Sequence, residues 1–177
     1  LGLSLARPPV LGEFLADLDP ALSLDWNGVS FRGLPRLREH VIARAGLEGL
    51  CDSEDVLITA GTAEANYLVM RQVLRPGDEV VTEAPGWPQV GVMCRAMGIT
   101  LREVARDEAA GWALDIDALE ALVGPATRLI FLTNPNNPTG ALLTATELRR
   151  IAGIADRVGA YVLVDEVYAG LEWGAQR

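Results

Sequence analysis

The chain has 177 residues, 50% of them hydrophobic, and a formal net charge of −9, enough for one buried core but without the basic face that nucleic-acid phosphates require. All fifteen basic residues are arginine, so lysine is absent from the sequence. No apolar run nears the roughly 20 residues of a membrane span and no secretory signal is visible, and Cys51 and Cys94 lack metal-ligand spacing, which together point to a cytoplasmic protein with reduced thiols and no metal.

In chain order, the first 50 residues read as an N-terminal arm and linker. Arg7-Pro8-Pro9 and Pro20 interrupt regular structure, and one amphipathic helix runs from Pro35 to about Ala45, with His40 on its surface. From residue 51 the pattern changes. Val56–Thr59, Val80–Glu83, Leu129–Thr133 and Tyr161–Asp165 are short, almost continuously apolar runs, as expected of strands covered on both faces; Thr100–Val104 is a weaker fifth. Helical patterns lie between them at Thr62–Leu74, Pro88–Met97, Asp117–Val123 (capped by Asp115 or Asp117) and Ala145–Val158. In the last, Thr144 and Glu147 form a capping box and Gly159 ends the helix. This alternation predicts an α/β fold, a mostly parallel open sheet with helices on both faces and right-handed crossovers.

Ligands of such sheets bind at the carboxyl ends of the strands, and the unusual segments fall there. Gly61–Glu64 combines a permissive glycine with a helix start whose N–H groups suit an anion, although an ordinary capped turn reads the same way. Trp87, in a Pro-Gly-Trp-Pro stretch, is placed either to stack on a flat ring or to cover the sheet edge. Asn134–Gly140 (NPNNPTG) packs three asparagines, two prolines and a glycine into seven residues, a demanding turn able to fix an amide donor. Asp165 closes the last apolar run. In a P-loop enzyme such an acid organises magnesium, but the chain has neither GxxxxGK[ST] nor GxGxxG. The acid is therefore free to pair with a protonated ring nitrogen.

From about Gly33 to Leu171 these motifs, in this order and spacing, resemble the large domain of the class I/II aminotransferases, which are fold-type-I pyridoxal-phosphate enzymes. The resemblance implies that residues 51–177 form part of the cofactor-binding large domain, preceded by an arm, linker and first helix over 1–50. It implies pyridoxal 5'-phosphate as cofactor, an amino acid as substrate, and a homodimer. Asp165 matches the acid that keeps the pyridine nitrogen protonated. Tyr168 and Asn137 match the groups that bond the ring's phenolic oxygen, and Asp165 and Tyr168 are the expected catalytic pair. Trp87 matches the stacking aromatic, and Gly61, Thr62 and Ala63 match the phosphate cup. Ala63 lacks the hydroxyl common there. Gly33-Leu34-Pro35-Arg36-Leu37-Arg38 matches the GxxxLR opening of the first large-domain helix.

Two departures stand out. Gly28 occupies the position of a tyrosine that reaches into the partner subunit, with Trp26 and Phe31 nearby. The lysine that carries the cofactor, and the arginine that grips the substrate carboxylate, would both fall after Arg177, so a fragment is expected, with an unpaired apolar sheet edge when isolated. Transamination is the leading reaction. Decarboxylation, elimination, cyclisation or oxidation on the same cofactor, and a lysine-free or split non-catalytic relative, are the alternatives. A nucleotide-binding α/β domain is disfavoured by the missing phosphate loops.

Overall fold

The computed structural model describes residues 8–23 and 30–171. The chain divides into two compact units, 1–59 and 60–177.

In the first unit, α1 (Leu11–Leu15) is a short exposed helix that the sequence pattern does not announce, and α2 spans Pro35–Ala45. Proline at the start and Gly46 in the left-handed conformation (φ 68°) bound α2, the glycine N–H meeting the carbonyls of Ile42 and Ala43. Gly33 has φ +107°, and a β-carbon there would lie 2.5 Å from Ile58 Cγ1, so only glycine fits. The buried Arg38 donates to the Ser53 carbonyl, and to the Glu54 carboxylate at 3.0 Å. The expected strand Val56–Thr59 is not one. Ile58 N–H reaches the Arg32 carbonyl at 2.8 Å, but no strand pairs with this segment among the described residues, and an apolar run without a ladder partner stays merely extended. Phe31 is 91% exposed; Trp26 and Gly28 lie outside the described residues.

The second unit contains α3 (Thr62–Val73), β1 (Glu79–Ala84), α4 (Pro88–Met97), β2 (Thr100–Asp107), β3 (Ala113–Leu114), α5 (Ile116–Leu122), β4 (Thr127–Thr133), α6 (Ala145–Asp156) and β5 (Tyr161–Asp165). The sheet order is β3-β2-β1-β4-β5, parallel except for the β2–β3 pair. Successive strand residues face opposite sides. Val81, Ile130 and Leu132 pack with Leu119 of α5 and Ile151 and Ile154 of α6, whereas Val80, Leu129 and Phe131 pack with Met70 of α3 and Val90 and Met93 of α4. Two apolar layers thus cover the two faces of one sheet, and the expected α/β architecture is the observed one. The N-cap of α5 is Asp115, and the Thr144–Glu147 capping box of α6 forms as read. β2 runs to Asp107, further than its apolar pattern reaches, because its last two residues, Arg106 and Asp107, pair antiparallel with β3. β5 is one of the two edge strands among the described residues, with Tyr161 53% exposed.

Cys94 is buried in the α3–α4 layer, and burial pushes its thiol up from 9.0 to about 11. Native protein should therefore react at Cys51, which is half-buried, well before Cys94; mass spectrometry after brief alkylation checks this. The folded state holds the Cys94 proton more tightly than the unfolded one, so this contribution is complete below pH 9 and is lost as pH rises towards 11.

Candidate active site

The chain moves from β1 to β2 on one side and then crosses to β4 and β5 on the other. The strand order thus reverses between β1 and β4, and the crevice beyond their carboxyl ends is where open α/β sheets take ligands. A cavity of about 240 Å³ opens there. It is lined by Gly61, Thr62 and Ala63 at the start of α3, Trp87 after β1, Thr133 at the end of β4, Asn137 in the loop beyond, and Asp165, Val167 and Tyr168 at and after β5, together with Asn66 of α3. All seven residues expected at a site from the sequence are brought to this one cavity.

Local chemistry explains each placement. In the Asn134–Gly140 loop the asparagines divide their work. Asn134 Oδ1 accepts the Leu143 N–H at 2.9 Å. The buried Asn136 accepts from the Thr139 hydroxyl at 2.6 Å and donates to the Pro85 carbonyl at 3.3 Å, which ties the loop to the segment after β1. With the turn closed by these two, Asn137 is left facing the cavity, its Nδ2 donating to the Tyr168 hydroxyl at 3.1 Å. The Asn134 N–H also pairs with the Asp165 carbonyl at 2.9 Å, so the loop is registered against the end of β5.

Asp165 is only 5% exposed. Its Oδ1 accepts the Val167 N–H at 3.0 Å and its Oδ2 accepts from Asn66 Nδ2 at 2.8 Å. Next to Thr133, which lines the cavity, the Glu83 carboxylate accepts the Thr133 N–H at 2.9 Å and the guanidinium of Arg106 at 3.0 and 2.5 Å, with both side chains almost wholly buried. Arg106 Nη1 donates in turn to the Trp112 carbonyl at 2.6 Å, at a residue of positive φ (65°). Trp87 is 45% exposed, a wall of the cavity rather than a core residue. The Thr62 and Ala63 N–H groups precede the first helical bonds of α3, made by Glu64 and Ala65 to the Gly61 carbonyl at 3.2 and 3.3 Å, and so lie at the positive end of the helix.

Asn66, Thr133, Val167 and the Glu83–Arg106 pair are not singled out by the sequence motifs. The signal available for Asn66 was weak: an amide inside a helix, one turn after Thr62, where such residues are poor helix formers. For Glu83, a charge interrupting an apolar strand was the only hint.

The arrangement is an apolar slot walled by an indole, with a carboxylate, an amide–phenol pair and a helix start at separate positions on its rim. The chain as a whole is similar to known proteins. The model for the aminotransferase class I and II family matches residues 27–177. An aspartate aminotransferase of Streptomyces avermitilis is 34% identical over 146 residues, which is 80% of this chain and 35% of that protein. A probable N-succinyldiaminopimelate aminotransferase of Mycobacterium tuberculosis is 40% identical over 120 residues, 66% of this chain and 30% of that protein. Among solved structures, a PLP-dependent aminotransferase from Streptococcus suis superimposes with a TM-score of 0.76 at 32% identity, covering 88% of this chain and 40% of that one. The chain thus spans about a third of the length of the curated relatives it matches. By sequence and by fold, it belongs to the aminotransferase class I and II family.

Proposed function

We propose that this chain is the cofactor-holding part of a pyridoxal-phosphate enzyme acting on the amino group of an amino acid, with transamination as its reaction. The observation that carries this reading is the single cavity in which a buried carboxylate, an amide–phenol pair, an indole and a helix start stand together. That donor set fits the cofactor: an anion for the helix start, a phenolic oxygen for Asn137 and Tyr168, a protonated ring nitrogen for Asp165, and a flat face for Trp87. When bound, pyridoxal phosphate supplies an electron sink that stabilises negative charge on the substrate's α-carbon.

The chain's own residues would orient and polarise that group. Asp165 holds a proton on the ring nitrogen. The Tyr168 hydroxyl and Asn137 amide would hold the phenolic oxygen. Trp87 and Val167 keep water from the ring, which strengthens each polar contact. The Thr62 and Ala63 N–H groups and the Thr62 hydroxyl take the phosphate; Ala63 contributes backbone alone. The 177 residues contain no lysine, so the amine that carries the cofactor must be supplied from outside them. Apart from the source of that amine, a homodimer is proposed, and the exposed Tyr67, Leu68 and Val69 of α3 are apolar surface that a second copy would cover. No described helix is long and apolar enough to cross a membrane.

The test is visible absorbance after pyridoxal phosphate is added to the purified 177-residue chain and to the longest polypeptide its gene encodes, each followed by dialysis. The longer polypeptide should retain a visible band. The 177-residue chain should bind reversibly and lose it. Tight nucleotide binding with no response to pyridoxal phosphate in either would refute the proposal.

A further inference from the structure

One buried polar side chain in the cavity wall has no part in the reading above. Asn66 is 3% exposed and lies one helical turn beyond Thr62, on the same face of α3. Its Nδ2 donates to Asp165 Oδ2 at 2.8 Å, a contact between residues 99 positions apart in the chain. The neighbouring bonds settle which way the amide points. Gln89 Nε2 donates to the Ala63 carbonyl at 2.7 Å, which turns Gln89 Oε1 towards Asn66 at 3.5 Å. Asn66 therefore meets two acceptors, a carboxylate and an amide oxygen, and only its NH2 group satisfies them.

We propose that Asn66 is a positioning residue for Asp165: together with the Val167 N–H it clamps the carboxylate against rotation, so that one oxygen is presented to the cofactor's ring nitrogen. This rests on the reading of the cavity as a pyridoxal-phosphate site. Each oxygen of Asp165 already accepts one protein donor, and a carboxylate held at both oxygens has lost its freedom about χ2 before any ligand arrives. The same helix whose first turn would take the phosphate thereby also sets the acid that would face the ring nitrogen. Gln89, two residues past Trp87, braces α3 from the stacking side of the cavity.

The experiment compares two probes that need no lysine: pyridoxamine 5'-phosphate, and its analogue with CH in place of the ring nitrogen. Dissociation constants are measured calorimetrically on the longest polypeptide the gene encodes, for the parent and for Asn66→Leu, Asn66→Asp and Asn66→His. The parent should prefer the nitrogen-containing probe. Asn66→Leu, of similar volume but without a donor, and Asn66→Asp, of the same shape but with an acceptor, should each narrow that preference by about tenfold or more. Affinity for the carbon analogue should stay unchanged. Asn66→His, which puts a ring N–H where the amide N–H was, should recover most of the preference. Should Asn66→Leu lose its cooperative melt, Asn66→Asp decides. A purely structural Asn66 would weaken both probes alike, or neither, and either result overturns the role given to it. If the parent binds neither probe, the cofactor reading itself falls and this inference with it; an intact parent preference that Asn66→Leu leaves untouched removes the inference alone.

Discussion

Replacing Arg106 by methionine should lower the stability of the protein by about 3–5 kcal/mol, read as a fall in the urea midpoint at unchanged m-value. The change would leave the Glu83 carboxylate buried with the Thr133 N–H as its remaining partner, since both of its contacts to cationic nitrogen come from Arg106. A buried charge stripped of its counterion is far more costly than a pair removed together. The double variant Arg106→Met with Glu83→Gln should therefore be more stable than Arg106→Met alone, because a neutral amide can still accept from Thr133. Against a typical total of about 5–15 kcal/mol, the single change would bring the fold close to its limit. The effect should also reach the cavity. Glu83 holds the last residue of β4, and Arg106 holds the hairpin carbonyl of Trp112, so β1, β2, β4 and the β2–β3 turn are joined through this one pair. If the single and double variants unfold at the same midpoint as the parent, the pair contributes nothing to the sheet's carboxyl end.

Replacing Asp165 by asparagine should have the largest functional effect. Both carboxylate oxygens accept N–H donors, from Asn66 and Val167. An asparagine has one oxygen, so its amide nitrogen must face one of those donors, and the charge that would hold a proton on the ring nitrogen is gone. Pyridoxamine-phosphate affinity should fall by about 10- to 100-fold, from loss of a charge-assisted hydrogen bond. Turnover by the lysine-containing polypeptide should fall further, by about 10²–10³-fold, the scale seen when one preorganised electrostatic contact is removed. The affinity is measured calorimetrically and the turnover by amino-acid-dependent loss of an oxo acid. Asp165→Asn with parental affinity would exclude Asp165 from ring binding.

What the sequence revealed was mostly local. α4 was legible to the residue because proline opens it and Gly98 closes it, and α2 was legible from Pro35 to about Ala45, where the structure adds the left-handed Gly46 as its stop. α6 carried its capping box in four residues. These signals act within one or two turns and need no partner. The cavity residues were legible for a different reason: the motifs of Gly61–Ala63, Trp87, Asn137 and Asp165–Tyr168 sit at chain positions that an open sheet gathers at one edge. Failures came where a distant partner decides. Val56–Thr59 has the composition of a strand, yet lacks a pairing neighbour among the described residues. β3 is two residues long and exists through its antiparallel pairing with Arg106 and Asp107. Asn66 and Arg106 gain their importance from contacts 99 and 23 residues away, which no local pattern encodes.

The central claim, that this cavity receives pyridoxal phosphate, is tested most directly by a crystal structure of the longest polypeptide the gene encodes, grown with the cofactor. The expected density places the ring nitrogen within hydrogen-bond distance of Asp165, the phenolic oxygen at Asn137 and Tyr168, the ring against Trp87, and the phosphate at the start of α3. A cofactor bound elsewhere, or a ring nitrogen turned away from Asp165, would contradict it.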